Sequence, residues 1–357
     1  MEALSSRTEE LLEVLGRYAG KRMFVAVLGS PDPDGLASAW ALRLLARHAG
    51  VTMDILTFEV VSRPDNMVFA QLLGIPFRQV TTGALPRLGF SAFAVVDRQN
   101  ARLPVPQPKR LPLLVHIDHH APVPTGAVFS QQIPAAGSTC TLMAFHFANL
   151  LQMTPIDPSE ACRLSTALLY GIRTDTLDFV TARAPDHKAA SLLAPYASAE
   201  MTRTIVQTPL GKTFLETLTT ALRTTQSKGG LTVAYAGKVG RRARDTIGET
   251  ADFLARSEGT NTVIVFGLVN GRFNGSLRAQ DPSLDPYAFL DGALSTRLGF
   301  PVDCGGRTFS GGFSAALSDV AGGNEETARL QITEALMTSW ASRRSPARAK
   351  ARSAKKA

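Results

Sequence analysis

The sequence predicts an α/β protein, a doubly wound and mostly parallel sheet domain joined by a helical connector to a smaller α/β domain. Three observations lead there. Strand-length apolar runs alternate with helical patterns through the first ~180 residues, as parallel strands buried on both faces require. Acids or acid–histidine groups follow several of these runs, and in such sheets ligands collect outside the carboxyl ends of the strands. A second set of strand runs begins after residue 228, and 357 residues suffice for two ordinary domains.

The elements follow in order. Residues 1–16 form an acidic amphipathic helix rather than an apolar targeting segment. Residues 23–28 are a strand, Pro31-Asp32-Pro33-Asp34-Gly35 a turn, and residues 36–45 a helix. That turn reads either as a helix cap or as two carboxylates directed at a cation. Residues 93–96 are a strand ending at Asp97, and residues 111–115 a strand leading into His116-Ile117-Asp118-His119-His120. Residues 159–169 and 185–193 are helical, and the apolar stretch 167–172 runs into Thr174-Asp175-Thr176. A helical connector breaks at Pro209-Leu210-Gly211, and residues 231–235 and 262–269 are strands of the second domain.

Half of the six histidines fall within residues 116–120. Imidazole with carboxylate is a ligand set for divalent metals, so this cluster indicates a metal or phosphate site, against the alternative of a His-rich surface turn. Asp97 and Asp175 each read singly as helix caps. Together with Asp32, Asp34 and Asp118, they place acids at four element ends that a doubly wound sheet would bring together.

The order Asp32-x-Asp34, Asp97, Asp118-His119-His120 and Asp175-Thr176 resembles the DHH phosphoesterase family, including its RecJ-like, nanoRNase and phosphoadenosine-phosphate phosphatase members. The resemblance spans roughly residues 20–335. It implies one or two Mn²⁺ or Mg²⁺ ions, with Asp97 bridging, Asp32 serving one ion, and Asp34, His119 and Asp175 serving the other. His120 would face the scissile phosphate, and Asp118 would orient the histidine pair. The family's usual first-motif histidine falls at Leu28, and the further acid of RecJ-like members falls at Ser30, which weakens the first metal position.

Downstream stand Gly275-Ser276-Leu277-Arg278 and the glycine-rich residues 304–313. Paired glycines beside an Arg let backbone N–H groups approach an anion, although tight turns in a small sheet would use the same residues. This segment resembles the substrate-binding domain attached to many DHH nucleases, which implies that Arg278, Gly305, Gly306, Arg307, Gly311 and Gly312 contact substrate. The histidine that ends this loop in nanoRNase-like members is Phe313 here.

The domains expected are a DHH catalytic domain at 1–190, the connector at 191–228, the substrate-binding domain at 229–340 and a disordered basic tail at 341–357. The activity implied is that of an Mn²⁺-dependent phosphoesterase or exonuclease-type hydrolase. It would act in the cleft between domains on short RNA or DNA oligonucleotides or on nucleotides, as an oligoribonuclease does. The alternatives are a pyrophosphate or polyphosphate hydrolase, and a non-catalytic nucleotide or RNA sensor suggested by Leu28.

Hydrophobic residues make up 45% of the chain, and no apolar run reaches the ~18 residues needed to span a bilayer. No membrane association is expected, and the resemblance is compatible with a homodimer. Cys140, Cys162 and Cys304 are widely spaced and odd in number, so neither a disulfide framework nor a zinc site is indicated, and the acidic opening helix leads to the expectation of a cytoplasmic protein. From residue 342 onward seven Lys and Arg meet no acid. They carry most of the formal +8, and such an arm either contacts nucleic acid or serves solubility. His48, His146 and His187 read as surface or packing residues, and His116 as either strand packing or a hydrogen-bond donor to the site.

Overall fold

A computed structural model describes residues 7–81, 83–85, 88–104, 111–299, 301–307 and 309–343. Most of the basic tail, residues 344–357, lies outside the described residues. The chain divides into two compact units, Met1–Pro209 and Leu210–Ala357.

The first unit holds strands β1 (Arg22–Val27), β2 (Thr52–Thr57), β3 (Phe77–Gln79), β4 (Ala92–Val96), β5 (Leu113–Asp118) and β6 (Phe129–Gln132). Its helices are α1 (Thr8–Gly16), α2 (Pro33–His48), α3 (Pro64–Leu73), α4 (Thr139–Met153), α5 (Pro158–Asp175), α6 (Ala184–Leu193) and α7 (Ala199–Val206). The strands pair in the order β3-β2-β1-β4-β5-β6, every pair parallel. Because side chains alternate along a strand, the apolar runs of β1 and β4 feed two cores. Met23, Val25, Val27, Ala92, Ala94 and Val96 enter the larger one with α2, α4 and α5. Phe24, Ala26, Phe93 and Val95 enter a smaller cluster on the other face, where Phe24 stacks on Phe93 at 5.7 Å.

Strand order reverses direction between β1 and β4, which makes their carboxyl ends the switch point of the sheet, with β5 next in line. Helix α2 leaves β1 there. Asp32 caps it, Pro33 supplies the preset φ of its first turn, and its body packs against α4 and α5. Of the two readings the sequence left open for His146, surface or packing, the structure shows packing in the interior. Its ring nitrogens lie 2.9 Å from Thr8 Oγ1 and 2.8 Å from Gln131 Oε1, tying α1 and β6 to α4. Burial pushes its pKa down to about 4, so this ring is neutral at pH 7.

The second unit holds β7 (Gln226–Lys228), β8 (Leu231–Lys238), β9 (Thr262–Val269), β10 (Arg272–Ala279), β11 (Asp303–Arg307) and β12 (Ser310–Ala316). Its helices are α8 (Lys212–Thr224), α9 (Thr246–Leu254), α10 (Pro286–Leu298) and α11 (Glu325–Arg343). The strand order is β11-β12-β10-β9-β8-β7, with β8 and β9 parallel across α9 and the other pairs antiparallel. Val233, Phe266, Phe273, Leu277 and Phe313 pack with α10 and α11, while Ala234, Val263 and Val265 pack with α8 and α9.

The glycine-rich stretch, expected as a loop, is largely the paired strands β11 and β12, with Gly305 opposite Gly312 and Gly306 opposite Gly311. Facing residues share one side of a sheet, so the two pairs have different surroundings. A Cβ on Gly311 would stand 2.8 Å from Pro286 Cβ, and one on Gly306 3.1 Å from Tyr287 N; a Cβ on Gly305 would meet nothing within 4 Å. Glycine at 306 and 311 thus lets α10 seat on the sheet. Gly311→Ala is expected to lower unfolding stability by about 1–3 kcal/mol through overpacking, and Gly305→Ala to change it little; urea unfolding of both variants checks the contrast.

Candidate metal centre

The acids at the switch point are held by different elements. Asp34, in the first turn of α2, is fully buried; its Oδ2 accepts from Thr139 N at 2.8 Å and its Oδ1 from Cys140 N at 2.6 Å. Those donors are the first two amides of α4, which would otherwise lack partners at the positive end of its dipole. Asp97 follows β4 with φ of 52°, a left-handed conformation uncommon for a residue with a Cβ. Its amide donates to Ile117 O at 3.0 Å, and Thr139 Oγ1 donates to its Oδ1 at 3.3 Å. Buried His116 lies with Nε2 2.8 Å from the carbonyl of Arg98, so it steadies the backbone just past Asp97.

His119 and Asp175 complete the group. His119 Nε2 lies 3.5 Å from Asp97 Oδ1 and 3.4 Å from Asp175 Oδ2. One ligand atom from each of Asp34, Asp97, His119 and Asp175 fits within a mutual distance of 4.8 Å, and Asp97, His119 and His120 form an overlapping set. His120 Nδ1 and Asp118 Oδ1 lie 2.7 Å apart, and the His119 and His120 rings are 4.4 Å apart.

Electrostatics show what this group needs. Burial pushes the Asp34 carboxyl well above the ordinary carboxylate range; the negative Asp97 and Asp175 push it further, and the Cys140 side chain opposes them as a hydrogen-bond partner. Burial also acts to raise Asp118, but the hydrogen bond to His120 and the charges of His120 and His119 outweigh it and hold Asp118 below its usual range. Asp118 Oδ2 is buried without a hydrogen-bond partner among the described residues. Three carboxylates crowded around an imidazole nitrogen are a fitting donor set for a divalent cation, whose charge removes their repulsion.

Asp32 stands apart from the four-residue group. Its Oδ1 accepts from Gly35 N at 2.9 Å, so the helix-cap reading describes its contact. Asp32 Oδ1 and Asp97 Oδ2 nonetheless lie equally close, 3.4 Å, to the position a Cβ on Gly35 would take. Leu28 packs against the apolar cluster that contains Phe24 and Phe93.

In the second unit, Arg278 is already engaged: Nε donates to Asp252 Oδ1 at 2.5 Å and Nη1 to Ser276 Oγ at 2.8 Å. The register places Gly312 opposite Ser276 and Gly305 opposite Gly312, so these glycines share the polar sheet face, while Gly306 and Gly311 share the Leu277 face with α10. Phe313 fills the space above Gly275, where a Cβ would stand 2.0 Å from its ring. The Arg307 backbone closes β11, and its side chain lies outside the described residues.

Sequence reasoning missed Thr139 and Cys140. The signal was present in Gly137-Ser138-Thr139 before an apolar helix, an N-cap pattern that marks exposed amide donors.

The crystal structure of an exopolyphosphatase-related protein from Bacteroides fragilis superposes with a TM-score of 0.67 at 13% identity, covering 95% of this chain and 96% of that one. The crystal structure of exonuclease RecJ bound to manganese gives 0.53 at 15% identity, covering 93% and 94%. An uncharacterized protein of Methanocaldococcus jannaschii is 32% identical over 268 residues, 74% of this chain, and the chain spans about half, 53%, of that relative's length. No family model matches the chain. The chain shares its fold with these two solved structures.

Because its pKa is raised in the fold, Asp34 favours stability below the ordinary carboxylate range, and that contribution is lost as pH rises through the folded-state value. A divalent cation should reverse this. Mn²⁺ binding is therefore expected to release protons wherever the pH lies below the raised Asp34 value, and to raise Tm more at higher pH. Calorimetry in buffers of different ionisation enthalpy checks it, and absence of proton release would contradict a protonated Asp34.

Proposed function

We propose that the chain is a metal-dependent phosphoesterase acting on phosphodiester or phosphomonoester bonds of short oligonucleotides or nucleotides. The observation that carries this reading is the convergence of Asp34, Asp97, His119 and Asp175 beside the His120–Asp118 pair. Asp34, Asp97, His119 and Asp175 would hold one Mn²⁺ or Mg²⁺, and Asp32 with Asp97 a second, weaker ion, since Leu28 packs in an apolar cluster. Bound metal would acidify a water and neutralise charge growing on phosphoryl oxygens. His120, oriented through Nδ1 by buried Asp118, would present Nε2 to the phosphate as a hydrogen-bond donor.

The second unit supplies selectivity in this reading. Ser276, Arg278, Gly305 and Gly312 lie on one polar sheet face, where small residues leave room for a ligand to approach. Asp252, Ser276 and the Leu277 carbonyl fix the Arg278 guanidinium through Nε and Nη1, leaving Nη2 for an anion.

The experiment is incubation with Mn²⁺ and a panel of di- to pentanucleotides, phosphoadenosine phosphate, bis-p-nitrophenyl phosphate and pyrophosphate. Oligonucleotide or nucleotide turnover supports the reading. Turnover of pyrophosphate alone would replace it with an inorganic-phosphate hydrolase, and metal-dependent ligand binding without turnover with a sensor. Asp97→Asn should reduce the Mn²⁺-dependent rate more than about tenfold, because an amide cannot lend charge to two ions. Arg278→Ala should raise KM for oligonucleotides while the small chromogenic diester is turned over as before; equal losses on both would contradict the division of roles.

A further inference from the structure

We propose that Asp186 is a positioning residue for the metal centre, acting through the N-terminus of α4; the proposal rests on the metal-binding reading above. Asp186 lies in the first turn of α6 and is fully buried. Its Oδ2 accepts from Arg183 N at 2.7 Å, which is an ordinary capping contact within its own helix. Its Oδ1 does something else. It accepts from Gly137 N at 2.8 Å and from Thr141 Oγ1 at 2.6 Å, donors 49 and 45 residues upstream that bracket the start of α4.

Between those two anchors stand Ser138, Thr139 and Cys140. Ser138 Oγ caps α4 by accepting from Thr141 N at 3.0 Å. Thr139 and Cys140 give their amides to the two oxygens of Asp34, and the Thr139 hydroxyl reaches Asp97. The contact extends to the last acid of the group. A Cβ on Gly137 would stand 2.5 Å from Thr176 Cγ2 and 2.7 Å from Asp186 Oδ2, so this segment is pressed against the residue that follows Asp175. A buried carboxylate is costly unless its oxygens are satisfied, and Asp186 meets that cost with two contacts that serve α4 and one that serves α6. One negative charge thus sets the position of the amides that orient Asp34.

The test measures Mn²⁺ binding, by the electron paramagnetic resonance signal of free Mn²⁺, for the full chain and three variants. Asp186→Asn retains size and removes the charge, and Thr141→Val removes one of the two α4 anchors. Asp157→Ala is the control, because Asp157 caps α5 at its far end from Asp175, accepting from Glu160 N at 2.9 Å. Asp186→Asn should weaken Mn²⁺ binding about tenfold or more, Thr141→Val in the same direction by less, and Asp157→Ala should lower Tm with Mn²⁺ affinity unchanged. Unchanged Mn²⁺ affinity in folded Asp186→Asn, or in Thr141→Val should the former not fold, would overturn the proposal while leaving the metal reading intact. A parent chain that binds no Mn²⁺ would overturn both.

Discussion

Three buried or half-buried carboxylates, Asp34, Asp97 and Asp175, share one small volume with a histidine nitrogen, and their mutual repulsion is the constraint that the first unit is arranged to meet. Two devices offset it. The amides at the N-terminus of α4 hold both oxygens of Asp34, where the helix dipole favours negative charge. A divalent cation would supply the remainder, which makes metal binding and local stability the same quantity seen from two sides. The Asp118–His120 contact follows the same pattern on a smaller scale, since a buried acid there is kept ionised by the imidazole beside it.

The fold makes this concentration of charge tolerable by confining it to one edge. Strands β1, β4 and β5 are buried over most of their lengths, and Asp97 and Asp118 come at or just past the carboxyl ends of β4 and β5. Helix α2 is buried on most sides, so the position of Asp34 in its first turn is set by packing against α4 and α5. Gly171 illustrates the tolerance: a Cβ there would stand 2.5 Å from Cys140 Sγ and 3.2 Å from Asp34 Cα. The second unit uses glycine for a related purpose, with Gly306 and Gly311 admitting a helix on one face and Gly305 and Gly312 leaving the other face low.

Much of this was legible in the sequence because the signals were local. An apolar run followed by an acid specifies a strand end, and Asp97, Asp118-His119-His120 and the Asp32–Asp34 turn sit at strand ends in the order written. Asp175 was legible as an acid at an element end, there the last residue of a helix. What stayed hidden depends on contacts between residues far apart in the chain. Thr139 and Cys140 reach Asp34 across more than 100 residues, and nothing near Asp34 announces them. The glycine pairs look alike in sequence, and only strand register separates those that seat α10 from those on the polar face. Likewise, Asp32 reads as a cap or as a ligand from sequence, and its hydrogen bond to Gly35 N is the cap.

The most direct measurement is anomalous diffraction from a crystal grown or soaked with Mn²⁺. The account places a strong Mn²⁺ peak among Asp34, Asp97, His119 and Asp175, within about 2.3 Å of at least three of their ligand atoms, and a weaker peak or none beside Asp32. A crystal with Mn²⁺ bound elsewhere on the chain and none among these four side chains would contradict it.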